Sequence, residues 1–196
     1  MPSTPPLPPP PPVKSTILAP AQPKVPQPPA VPTAGPPGAF KLELMVFNGA
    51  PFNDHWAFWI PTVRDPDVGV EIHAVGDVLD GFTFEVKRNL NLQVTTEQPS
   101  KTIPLQWVDG KFFHEKVMLN NGTSTLDNKP ACAFEASAYK AKPPTKSLNA
   151  VDDVEMRGRP VKQRNCQTWI VEAAAYLVHD GIITEEVVAY LNAIKQ

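Results

Sequence analysis

Proline sets the first constraint on this chain. Sixteen of its 25 prolines fall within the first 38 residues. Proline has no backbone donor and a fixed φ, so such a segment offers neither a hydrogen-bonding ladder nor much apolar surface to bury. Residues 1–38 are therefore expected to be a disordered, polyproline-like tail. The remaining 39–196 has the size of one domain with one core. Charge divides at the same boundary. The tail holds Lys14 and Lys24 and no acid, while the chain as a whole is at −2. The domain is thus mildly acidic with mixed signs, which argues against nucleic acid as a partner. No apolar run reaches membrane-spanning length, and no secretory signal pattern opens the chain. Two cysteines, Cys132 and Cys166, are too few for a disulfide framework or a cysteine-built zinc site. A cytoplasmic location is the expectation.

Beyond Phe40 the pattern becomes short runs of period two. Strands are predicted over 40–47, 54–60, 69–75, 82–88 and 103–108, separated by Gly, Asn, Asp and Pro. They read as an antiparallel meander. The stretch 111–159 is harder to read, with one helical turn expected at Phe134–Tyr139 and breaks at Pro143-Pro144 and Gly158-Arg159-Pro160. Cys166 to His179 has helical periodicity, placing Trp169, Ile170, Ala173, Tyr176 and Leu177 on one face. Asn165 is its expected N-cap, and Thr184 caps a final helix in which Val188, Leu191 and Ile194 recur. Strands first and helices last make the class α+β.

One cysteine and two histidines carry the chemistry. Cys166 opens a helix, where free N–H groups and the macrodipole favour an anion, and Lys162 and Arg164 lie just upstream. Both effects favour a thiolate. His55 and His73 sit inside predicted strands beside apolar neighbours. By strand alternation His55 shares a face with Ala57 and Trp59, and His73 with Glu71 and Val75. Neighbouring strands would put both rings together, with a helix N-terminus to present the thiol. The plainer alternative for each is structural: a small apolar cysteine against the sheet, and histidines satisfied by backbone. His114 and His179 carry no comparable signal.

The combination His55-Trp56-Ala57, then Ile72-His73, then Arg164-Asn165-Cys166 resembles the lecithin:retinol acyltransferase and phospholipase/acyltransferase group. Glu85-Val86-Lys87-Arg88 is similar to a segment that follows the second histidine there. That group is a circularly permuted branch of the papain-like fold. The resemblance implies His55 as general base, His73 as the group that orients it, and Cys166 as nucleophile. The order and spacing of 69–89 and 165–169 also resemble a set of small uncharacterised fungal proteins. The helix opens Asn-Cys-Gln-Thr-Trp where the lipid enzymes have Asn-Cys-Glu-His-Phe, so the substrate stays open.

The leading expectation is a cysteine-dependent hydrolase or acyl/peptidyl transferase acting on an amide, thioester or ester carbonyl. Its partner would be a small-molecule, lipid or peptide acyl substrate, with no cofactor and no metal. The rival is a catalytically inactive papain-like binding module. In that reading the Pro-rich run 5–12, followed by Val13-Lys14, docks a proline-recognition domain. A zinc site from His55, His73 and Cys166 is a third option by ligand type.

Overall fold

The computed structural model describes residues 26–146 and 164–196. The docking run 5–14 and Lys162 lie outside these residues. Among the described residues, six strands form one antiparallel sheet: β1 (Phe40–Phe47), β2 (His55–Pro61), β3 (Val68–Asp77), β4 (Gly81–Asn91), β5 (Lys101–Val108) and β6 (Thr125–Asp127). Helices are α1 (Glu115–Met118), α2 (Ala133–Ala138), α3 (Cys166–His179) and α4 (Glu185–Ile194). The architecture is α+β. No helix among the described residues is long and apolar enough to cross a membrane.

The strand order is β5-β1-β2-β3-β4-β6. β1 to β4 follow each other as the expected meander. β5 departs from it, returning across the sheet to pair with β1, so Phe40 meets Val108 and Val46 meets Lys101. β1 offers a long apolar edge that β5 covers, and the loop after β4 is long enough to make the crossing. The β3–β4 turn is built by local chemistry. The Asp77 carboxylate accepts from the N–H groups of Leu79 and Asp80. Gly76 has φ +140, and a Cβ there would fall 2.2 Å from the Gly81 carbonyl oxygen, so only glycine fits.

Both sheet faces carry apolar side chains. On one face Trp56, Phe58, Ile60, Ile72 and Val86 meet Trp169, Ile170, Ala173 and Leu177 of α3 in the main core. Trp169 is fully buried and donates its ring N–H to the Ala141 carbonyl at 3.0 Å. Burial of such a side chain contributes roughly 1.5–3 kcal/mol. Tyr176, expected on this face, is 42% exposed, and Ala174 is buried instead. The contact is centred on Ile170, Ala173 and Leu177, and Tyr176 falls to one side of it. In α4 Leu191 is buried as expected, joined by Val187 and Tyr190, while Val188 and Ile194 are only partly buried against the core. The helix meets α3 at a slightly different phase. On the opposite sheet face Met45, Ala57 and Trp59 form a second cluster with Phe47, Leu90 and Leu92.

The stretch 111–139, where pattern reading predicts only the helical turn at Phe134–Tyr139 that α2 supplies, is tied down by one buried cation. Arg88 is 2% exposed and Glu135 0%. The guanidinium donates twice to the Glu135 carboxylate, at 3.0 Å each, and once to Asp127 at 2.9 Å. It also donates to the carbonyls of Lys129 and Met118. Five donors therefore meet five acceptors, which a planar fork can do and an ammonium cannot. β6 and α2 are fixed by these bonds rather than by their own short sequences.

The end of the proline-rich segment, 26–38, runs over β5. The Trp107 ring N–H donates to the Pro32 carbonyl at 2.8 Å. Gly35 lies against the ring, where a Cβ would come within 2.2 Å of Trp107 carbon.

Two outcomes follow. Glu135→Ala strands the buried guanidinium and should lower unfolding free energy by about 3–5 kcal/mol in urea titration. Gly35→Val should release 26–38 from Trp107, seen as faster proteolysis within that segment and a shifted tryptophan emission, with the domain's urea midpoint unchanged.

Candidate functional site

Strand pairing decides where the candidate residues go. The β2–β3 ladder runs from Pro61 opposite Gly69 to Phe58 opposite Ile72 and stops there. β2 continues to His55, held on its other side by Phe47 of β1. Thr62 N–H donates to the Val68 carbonyl across this ladder, so even-numbered residues of β2 aim main-chain groups at β3. Asp54 and Trp56 are even, and past Phe58 their groups face a gap where β3 has diverged.

The start of α3 fills that gap. Gln167 donates its side-chain amide to the Asp54 carbonyl at 2.8 Å, and the Cys166 sulfur lies 3.9 Å from the same oxygen. The Trp56 N–H donates to the sulfur from the other side of His55. Gln196 closes the arrangement: its N–H donates to the Gln167 side-chain oxygen at 2.9 Å, and its own side-chain oxygen accepts the Asp54 N–H at 2.8 Å. Asn165 caps α3 as expected, its side-chain oxygen accepting the Thr168 N–H at 3.0 Å. The thiol thus sits against main-chain atoms on both sides of His55.

The two histidines meet on the sheet face opposite α3. His55 Nε2 lies 2.8 Å from His73 Nδ1. His73 Nε2 lies 3.0 Å from Glu85 Oε1, whose residue stands directly across the β3–β4 ladder. The Glu85 carboxyl is held below its usual range, chiefly by this hydrogen bond. A carboxylate only accepts, so His73 Nε2 carries a proton; where that is the ring's only proton, His73 Nδ1 accepts. In that tautomer His55 Nε2 donates and the His55 Nδ1 lone pair is free. Glu85 thus anchors the hydrogen-bonded chain Glu85–His73–His55 at its carboxylate end.

Around these rings lies an open cavity of about 650 Å³, lined by Phe47, His55, Glu71, His73, Glu85 and Lys87 among others. Cys166 does not line it. Among the described residues no hydrogen bond joins the thiol to either ring. The structure brings His55 and His73 together, and puts Cys166 beside the backbone of His55 from the other side of the sheet.

The electrostatics differ from the expected thiolate. Burial pushes the Cys166 thiol up, opposed by the N–H groups of Trp56, Gln167 and Cys166 itself. Arg164 is turned away, paired with Glu172 and donating to the Lys142 carbonyl. The resting sulfur is a thiol. Burial, followed by the charges of His73 and Lys87, lowers His55 to about 4, so its ring is neutral at physiological pH. Cys132 is pushed up to about 12 by burial and by Glu135.

Glu85, Glu71 and Lys87 were not singled out as site residues from sequence. The signal was present in the hairpin alternation, since residues 71 and 73 face 87 and 85 across one ladder. Reading it requires the register, and the turn at 77–81 fixes that. Gln167 and Gln196 had no signal at all, their contacts spanning well over a hundred residues to Asp54.

A family of unknown function, DUF6540, matches residues 42–184. The chain belongs to it. The match encloses His55, His73, Glu85 and Cys166. Comparison with curated proteins and with solved structures gives no significant match.

The lowered His55 value makes a pH prediction. Between about 6.5 and about 4, the unfolded chain takes up a proton that the native His55 refuses. Its contribution to stability is thus present above pH 6.5 and lost as pH falls toward 4. His55→Asn should flatten this part of the stability profile in urea titrations across that range.

Proposed function

We propose that this chain is a thiol-dependent hydrolase or acyl/peptidyl transferase of circularly permuted papain-like type. In this reading Cys166 is the nucleophile, His55 the base, and His73 with Glu85 the positioning groups. The observation that carries the reading is the hydrogen-bonded chain Glu85–His73–His55, which ends on the strand end whose backbone contacts the Cys166 sulfur. With His73 neutral, this chain leaves the His55 Nδ1 lone pair free to act as base. The order His strand, His strand, Cys helix and the N-cap at Asn165 support it as well.

The chemistry suits a neutral pair. As the sulfur bonds to a carbonyl carbon, the thiol proton passes to His55 Nδ1 and the carbonyl electrons move to oxygen. The N–H groups of Cys166 and Gln167 already lean on the sulfur, so they can turn to an oxyanion forming beside it. Collapse expels an alcohol, thiol or amine, which takes the proton back from His55 and leaves a thioester on Cys166. Water or an acceptor amine or alcohol then attacks this thioester, with His55 again taking the proton.

The test is acyl-enzyme formation with p-nitrophenyl acetate, followed by intact-mass and peptide mass spectrometry in the presence of EDTA. One acetyl group on Cys166 and none on Cys132 is expected. His55→Ala should slow acylation by about 10²–10⁴-fold. Glu85→Gln should slow it less, because the relay geometry survives while its carboxylate anchor is lost. No adduct on Cys166, or equal rates in wild type and His55→Ala, would overturn the proposal in favour of a binding module.

A further inference from the structure

The cavity face holds a buried group that the relay does not use. Glu71 lies on central strand β3 with its side chain 3% exposed. Its Oε1 is paired with Lys87 Nζ at 3.1 Å and lies 3.2 Å from His73 Nδ1. A buried carboxylate demands positive charge beside it, and this one faces the histidine pair. The ligand atoms of His55, Glu71 and His73 all lie within 4.8 Å of one another.

We propose that His55, Glu71 and His73 form a binding site for a borderline divalent transition-metal ion of the Zn2+ class. Two imidazoles and one carboxylate are a recurrent donor set for such ions, with room left for water at a fourth position. The open cavity supplies that room. Glu85 stands outside the three ligands and holds His73 Nε2 at 3.0 Å. A carboxylate behind a ligating histidine fixes its tautomer and points its other nitrogen at the metal. Lys87 shows that the place beside Glu71 already favours a cation. Its ammonium has a second partner in Glu97 at 3.2 Å, toward which it can swing as an ion enters.

The site stands independently of the thiol reading, but it shares His55 with it. An ion on His55 Nε2 displaces the proton to Nδ1, the nitrogen that would have to act as base. Metal occupancy and the base role of His55 exclude each other, so a bound ion would silence the relay.

Zn2+ and Co2+ titrated into the full chain at neutral pH test this, by calorimetry and by Co2+ absorption. The expected result is one ion per chain, with Glu71→Gln weakening binding by more than about tenfold and Cys166→Ser leaving it unchanged. Lys87→Met removes the competing ammonium and should tighten binding, with a larger Zn2+-induced rise in Tm than wild type. Circular dichroism of each variant verifies that it is folded. No binding by wild type, unchanged affinity in Glu71→Gln, or loss in Cys166→Ser would each overturn the site. Because acylation is read in EDTA and metal binding can be read in Cys166→Ser, failure of one proposal leaves the other standing.

Discussion

The early end of the β2–β3 ladder is the constraint on which the candidate site depends. Pairing stops after Phe58 and Ile72, which leaves Asp54 and Trp56 with main-chain groups and no strand to meet them. Such groups must be satisfied when they are removed from water. The first residues of α3 do this, with Gln167 on the Asp54 carbonyl and the Cys166 sulfur beside it. A helix that ordinarily would only cover a sheet is thereby locked by its N-terminus to one strand end. The same divergence lets groups from opposite faces of the sheet approach a single backbone segment.

β4 divides the labour by alternation. Its residue 88 turns toward the helical side and gathers Asp127, Glu135 and two carbonyls into one buried hub. Residues 85 and 87 turn to the other side and organise His73 and Glu71. The stability of the poorly patterned middle segment and the electrostatics of the histidine cavity are therefore set by neighbouring side chains of one strand. The register of β3 against β4 serves both, and the Asp77 turn chemistry at its end holds that register.

Much of the fold was legible in local pattern. Period-two runs and turn residues located β1 to β5 within a few residues, and periodicity with an Asn cap located α3. Each of these signals is written within one element. The return of β5 to β1, the β6 strand and the Arg88 hub were not legible, because each depends on residues far apart in sequence. Helix phase was legible only in part: Tyr176 and Ala174 differ in burial because of where neighbouring elements press, which periodicity alone does not resolve.

The sequence by itself determined a proline-rich segment ahead of one α+β domain, and the identity of two strand histidines and one helix-opening cysteine. These follow from residue type and spacing, which act locally. Tertiary structure alone decided that His55 and His73 share a hydrogen bond, that Glu85 holds the far nitrogen of His73, and that burial pushes the Cys166 thiol up. It also decided that Glu71 is buried beside them, paired with Lys87. Each of these depends on distance and desolvation between strands, and a linear pattern carries neither.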